Sequence, residues 1–379
     1  MKCRYAIVLL LLSVFAPAAS AQTPASVSKQ VARPVAPAVA DKRLRVAAGT
    51  LPGKLRRLWR FKTAGPITSS PVVQNGRVYF GSEDKSVYAV NFKTGRKIWS
   101  FKTGGAVEAT PCVTGNLVAI GSSDGNLYAL DATTGRPRWK FKTQDKILGG
   151  ANTVASPDGK DVWLIVGSYD NNVYCLNAAT GKKVWSYETE NYVNGTPAIA
   201  DGKVIFGGCD GVLHVLSLAT GKRALALPID DYIAGSATVA GQNAYLGHYG
   251  NAVVCADVRA GKVTWTYRER GFPYFSTPAV APDRIVIGGR DRFVHAIDRA
   301  SGKGLWMFRT RGKVDSSPVI CDGKVLVGSE DGNLYLLRLS DGKMLWSYTI
   351  GRPVMSSPQV SSGTVLIGAD DGYLYAFGA

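Results

Sequence analysis

Histidine is scarce: the chain has 3 in 379 residues, and no stretch carries a sustained helical period. This argues against a helical metalloenzyme, whose ligand sets draw on clustered histidines. His214 and His295 occupy equivalent strand positions, His248 lies in a turn, and no Ser-His-Asp set follows from their spacing. They read as packing or surface residues. Cysteine is also sparse. Beyond Cys3 there are Cys112, Cys175, Cys209, Cys255 and Cys321, with no adjacent pair and no C-x-x-C. Neither a zinc site nor a redox pair is signalled. The odd count leaves at least one thiol unpaired in an exported chain, and the five read as small apolar fillers. No glycine-rich phosphate loop leads into a helix. Acids are fewer than bases, 28 against 45, for a net charge of +17.

Long apolar runs are missing after the leader. Lys2 and Arg4 precede an apolar stretch from Ala6 to Ala16, and Ala19-Ser20-Ala21 forms a cleavage site before Gln22. That stretch is shorter than the ~20 residues a bilayer span needs. Residues 1–21 therefore read as a signal peptide, and the chain as an exported protein, periplasmic or secreted, soluble after cleavage near Ala21. A lipid anchor of the bacterial lipoprotein kind needs a cysteine where Gln22 stands. Residues 22–56, with Pro34 and Pro37 among Ala, Val and basic residues, read as a flexible basic linker. Through residues 22–57 it would make weak contact with an anionic membrane surface. The export signal argues against nucleic acid as a partner.

Glycine and aromatics are plentiful, with Gly 43, Tyr 17 and Trp 8. A Gly closing an apolar run recurs at Gly81, Gly121, Gly167, Gly207, Gly247, Gly288, Gly328 and Gly368, about every 40 residues. The one longer interval contains an enlarged turn, Ser156-Pro157-Asp158-Gly159. Each copy reads as four strands. A Ser/Thr-Pro step precedes the first, an Asn-Gly or Asp-Gly turn follows, and a T-G-K/R step leads into a fourth strand carrying a Trp. The expected fold is all-β: an eight-bladed β-propeller of four-stranded blades over residues 57–379. Trp59 precedes any complete blade and the chain ends on a third strand, so the N-terminal strand is expected to close the ring.

The docking tryptophans are Trp59, Trp99, Trp139, Trp185, Trp265, Trp306 and Trp346, with Leu225 in the remaining copy. Each indole buries ~150–250 Å² between sheets, worth at most about 4–6 kcal/mol. The recurrent turn acids, Asp84, Asp124 and their counterparts, read as turn chemistry, since a residue repeated in seven copies serves the fold.

Ala129-x-Asp131-x-x-x-Gly135-x-x-x-Trp139 resembles the tryptophan-docking motif of the pyrroloquinoline quinone repeat propellers. Degenerate copies run through residues 57–379. That family includes quinoprotein alcohol dehydrogenases and the B lipoprotein of the outer-membrane β-barrel assembly machinery. For a dehydrogenase the resemblance implies a carboxylate base, calcium ligands, a Trp floor and a disulfide of adjacent cysteines. One residue per copy, Thr68, Glu108, Leu148, Asn194, Ala234, Phe275, Asp315 and Met355, is expected to ring the channel mouth. Glu108 and Asn194 offer calcium oxygens, but Ala234 follows in the next copy, and Trp163 starts a second strand away from the mouth.

The expectation is therefore a non-catalytic scaffold without cofactor or metal, working as a monomer. Its implied partner is an envelope protein, by resemblance the outer-membrane assembly machinery. A small quinone-binding dehydrogenase or sensor, and a carbohydrate- or peptide-binding propeller, remain as alternatives. Three residues after each docking Trp the loops show Lys62, Lys102, Lys142, Arg268 and Arg309, with one contrasting sector. There Tyr192, Asp230, Asp231 and Tyr232, joined by Phe272, Tyr274 and Phe275 of the next loop, read as the partner-binding surface.

Overall fold

A computed structural model of the chain describes residues 44–379. The expected export signal at residues 1–21 and the greater part of the expected basic linker lie outside the described residues. From Arg56 to Gly378 the chain forms eight antiparallel units of four strands, with no α-helix among the described residues. Blade 1 sets the pattern with Val72–Gln74, Arg77–Ser82, Ser86–Asn91 and Lys97–Lys102 hydrogen-bonded in that order. The short first strands touch one another in a closed cycle, which places them innermost. Second strands such as Leu117–Gly121 are buried on both faces and read as continuous apolar runs, whereas outer strands such as Pro137–Lys142 remain largely exposed.

Local chemistry explains the turns. Asn75 and Gly76 both have positive φ, 49° and 71°, as a type I′ hairpin requires. The glycine ending each second strand answers a different need. A Cβ on Gly81 would stand 2.3 Å from the Val107 carbonyl oxygen, because the following loop lays an apolar residue directly over it. Counterparts of Val107 recur at Ile147, Val193, Ile233, Val314, Val354 and Ile67, all buried.

Each docking Trp covers the next blade's outer turn. Trp99 lies against Gly135, whose φ is 72°, and its Nε1–H donates to the Ala132 carbonyl at 3.0 Å. Trp59, Trp139, Trp185, Trp265 and Trp306 repeat the bond at 2.9–3.1 Å, to Phe92, Ala178, Leu218, Arg299 and Leu339. Leu225 covers Gly261 without such a bond. Trp346 differs because blade 8 has no outer turn; its indole packs edge-on against Phe377, centroids 5.6 Å apart.

The ring closes as its termini suggest. Arg56–Lys62 is the outer strand of blade 8, with Trp59 opposite Ala376 and Phe61 opposite Leu374. At the inner seam Ser356 Oγ donates to the Ser69 carbonyl at 3.1 Å, and the Ser357 amide donates to Ser70 Oγ at 3.1 Å.

The stretch read as a linker over 22–56 contains a packed segment. Val46–Ala47 pairs in parallel with the inner strand of blade 7, Val319–Cys321. Arg45 donates to the carbonyls of Pro318 and Ser317 at 2.8 and 3.0 Å. Leu51 and Leu55 join the apolar cluster of blades 7 and 8, beside Leu326 and Phe377. Residues 44–55 thus belong to the fold, because these apolar side chains have a core to enter.

Deleting residues 57–63 removes the outer strand of blade 8 with Trp59 and Phe61. The thermal midpoint should fall by more than about 10 °C, since several kcal/mol of burial leave together. An unaltered melting temperature would refute this closure.

Candidate functional site

The repeat consumes most of its polar residues. In five blades a turn acid accepts a hydrogen bond from a third-strand Tyr, as Asp124 does from Tyr128 at 2.6 Å. The same bond joins Tyr88 to Asp84, Tyr174 to Asp170, Tyr335 to Asp331 and Tyr375 to Asp371. Burial, reinforced by Asp84, pushes the Tyr88 phenol up to about 12. In blades 4 and 6 a histidine replaces the tyrosine. His214 Nε2 lies 2.9 Å from Asp210, and His295 Nε2 lies 3.1 Å from Asp291. Both rings are buried, as is His248. Among the described residues the five cysteines are unpaired, one in each of five blades.

The basic loop residues are partly consumed too. Lys62, Lys102, Lys142 and Arg268 each donate to a turn carbonyl, that of Asp371, Asp84, Asp124 and Gly250. These cations tie outer strands to turns, which fixes their position while leaving their charge in place.

What remains is an aromatic row over blades 3 to 6. Tyr192, Tyr232 and Phe272 are 46%, 52% and 51% exposed, on three successive inter-blade loops. Two turn residues absent from the sequence expectation support them. Tyr169 stacks on Tyr192, centroids 4.9 Å apart at 18°. Tyr249 meets Tyr232 edge-on at 6.2 Å and Phe275 at 4.4 Å. Beyond Phe275, the Arg290 guanidinium lies 3.8 Å above its ring and donates to the Asp315 carboxylate at 2.7 and 3.1 Å. Asp230 pairs with Arg268 at 2.5 Å, and Asp231 accepts from the Tyr232 amide at 2.7 Å.

Tyr274 does not belong to this surface. It is 0% exposed, and its Cβ lies 2.4 Å from where a Cβ on Gly247 would stand. It fills the core position held by Val107 in blade 1, packing on His295 with centroids 5.2 Å apart. A side chain in that position cannot reach a partner.

Tyr169 and Tyr249 occupy the residue after the Ser or His that ends the second strand. Glu83, Ser123, Cys209, Arg290, Glu330 and Asp370 stand there in other blades. Aligning that column would have found both tyrosines.

The channel-mouth residues do not fit a quinone and its calcium. The Asn194 amide donates to the Ala234 carbonyl at 3.0 Å. Ala234 supplies no carboxylate, and no two cysteines are adjacent in sequence. Burial, with Glu83 nearby, pushes the Glu108 carboxyl up, while Lys146 opposes this. Among the described residues no group of three His, Cys, Asp or Glu is arranged to hold a metal.

Comparison with known proteins agrees with the architecture. A family described as outer membrane protein assembly factor BamB matches residues 50–159, 139–271 and 290–379. BamB from Moraxella catarrhalis superposes with a TM-score of 0.72 at 20% identity, over 86% of this chain and 100% of that one. The computationally designed Ika8 protein gives 0.73 at 17%, over 84% and 98%. A europium-containing methanol dehydrogenase gives 0.72 at 15%, over 86% and 93%. At these identities the three share the fold. No curated protein matches the sequence significantly.

Opposite the aromatic row, Asp370 shares its surroundings with Glu83, Glu330 and Asp371. Burial and then these acids push its carboxyl up to about 6. The folded value lies above the unfolded one of ~3.9, so the folded state holds this proton more tightly and stability falls as pH rises from about 4 through 6. Asp370→Asn should therefore melt higher than the parent above pH about 6, the gap closing below pH about 4. A pH-independent difference in melting temperature would contradict this.

Proposed function

We propose that this chain, which belongs to the family described as outer membrane protein assembly factor BamB, is a non-catalytic binding scaffold of the cell envelope that assists outer-membrane β-barrel assembly. The observation that carries the reading is the aromatic row: half-exposed Tyr192, Tyr232 and Phe272 on successive loops, with Tyr192 stacked on Tyr169, Tyr232 against Tyr249, and Phe275 between Tyr249 and Arg290. Aromatic side chains fixed in one conformation lose little entropy on docking and bury large areas. Asp230 and Asp231 beside them supply a charged rim.

The placement in the envelope rests on the leader at residues 1–21 and on the family. A ring of eight hydrogen-bonded blades carries the row, so its contribution is position. A partner is gripped by a preformed surface rather than by one that folds around it.

An affinity-tagged full chain should retain a subunit of the outer-membrane assembly machinery from envelope extracts. Tyr232→Ala with Phe275→Ala should weaken capture more than about tenfold, as loss of central aromatic anchors does, with the melting temperature nearly unchanged. Undiminished capture by the folded double variant would sink the assignment of this surface.

A further inference from the structure

Beside the aromatic row lies a second feature which the scaffold reading does not use. A groove of about 700 Å³ opens over blade 6 toward blade 7. Six cationic residues line it, against the acids Asp291 and Glu330. The cations come from three separate segments: Arg270 from the loop entering blade 6, Arg290 and Arg292 from its turn, and Arg309, Arg311 and Lys313 from the chain leaving it.

These cations are not equally occupied. Arg290 is committed to Asp315 and Phe275. Arg270 lies 4.4 Å above the Phe293 ring, with its Nε 3.9 Å from Asp291. Asp291 is itself buried against His295. Arg292, Arg309, Arg311 and Lys313 are exposed, and among the described residues their side chains make no hydrogen bond or ion pair. Arg309 stands out because its counterparts Lys62, Lys102, Lys142 and Arg268 are each bound to a turn carbonyl. Arg292 holds a turn with φ of 70°, the position that Gly125, Gly211, Gly332 and Gly372 occupy in four blades and Lys85 and Asn171 in two others.

We propose that this groove binds an extended, acidic segment of a partner protein. Four unpaired cations spread over two segments suit a row of carboxylates better than one compact phosphate, and guanidinium groups match carboxylates two bonds at a time. The walls add an apolar demand: Phe272 and Pro273 on one side and Phe293 beneath Arg270. A bare polyanion leaves those faces unused, whereas a peptide with an apolar residue among its acids covers them. The groove shares Phe272 and Arg290 with the aromatic row but neither Tyr192 nor Tyr232, so variants at those two tyrosines test the row apart from the groove.

The test is fluorescence anisotropy of a short labelled peptide of Asp and Glu with one Phe, titrated with the full chain at low salt. Saturable binding should weaken by more than about tenfold in Arg309→Glu with Arg311→Glu, and should fall steeply as salt screens the pair. Lys93→Glu with Lys97→Glu, on an exposed turn and outer strand of blade 1, makes the same change in net charge and should leave binding intact. Tyr192→Ala with Tyr232→Ala, neither of which lines the groove, should also leave it largely intact, which separates this groove from the aromatic surface. Equal loss in both charge-reversal variants would reduce the effect to net charge and overturn the proposal. So would binding of phosphatidylglycerol vesicles through Arg309 and Arg311 with no binding of the peptide, because the occupant would then be a lipid surface.

Discussion

The structure depends on one interaction made over and over: an indole from one blade seated on the outer turn of the next. Trp99 on Gly135, with its Nε1–H on the Ala132 carbonyl, shows the whole device. The turn needs a residue with positive φ, the indole needs a turn without a Cβ, and glycine answers both demands. No blade is finished by its own residues. Each is locked by its predecessor, so stability has the near-neighbour character of repeat proteins, and the ring must close to leave none unlocked. At the seam the lock changes form: Trp346 finds Phe377 where other indoles find a glycine turn. The strand Arg56–Lys62 and the packed segment from Arg45 to Leu55 hold that seam from both edges.

This arrangement decides where function can reside. Turn acids are occupied by Tyr or His, several loop cations by turn carbonyls, and the inner Ser and Thr hydroxyls by neighbouring blades. Among the side chains exempt from these duties, three half-exposed rings fall on successive loops from blade 3 to blade 6. The exposed rings of Tyr192, Tyr232 and Phe272 and the unpaired cations of Arg309 and Arg311 are there because the repeat does not need them.

Much of this was legible in the sequence because the fold is periodic. The glycine interval counted the blades, the T-G-K/R-to-Trp spacing located the outer strands, and an orphan Trp59 with a missing final strand showed the closure. Two things were not legible by the same reasoning. Tyr274 looked like a neighbour of Phe272 and Phe275, yet its column in the repeat holds Val107, Ile147 and Ile233, so it is core; linear proximity outweighed register. Tyr169 and Tyr249 were hidden because they sit in turns rather than in the loops richest in aromatics. The packed residues 44–55 lack a repeat altogether. Leu51 and Leu55 are too few to show a period, and only the cleft between blades 7 and 8 gives them a place.

The same ring supports a catalyst, a designed protein and an assembly factor, which is the usual separation of fold from function. In this chain Asn194 is committed to the Ala234 carbonyl and Asp315 to Arg290, Leu148, Ala234, Phe275 and Met355 carry no ligand oxygen in their side chains, and the distinctive chemistry lies on the loops. The most direct measurement is a titration of the full chain with pyrroloquinoline quinone and calcium, followed by tryptophan fluorescence. A binding scaffold predicts no saturable change; saturation near micromolar, about −8 kcal/mol, would contradict it and return attention to Glu108 and Asn194.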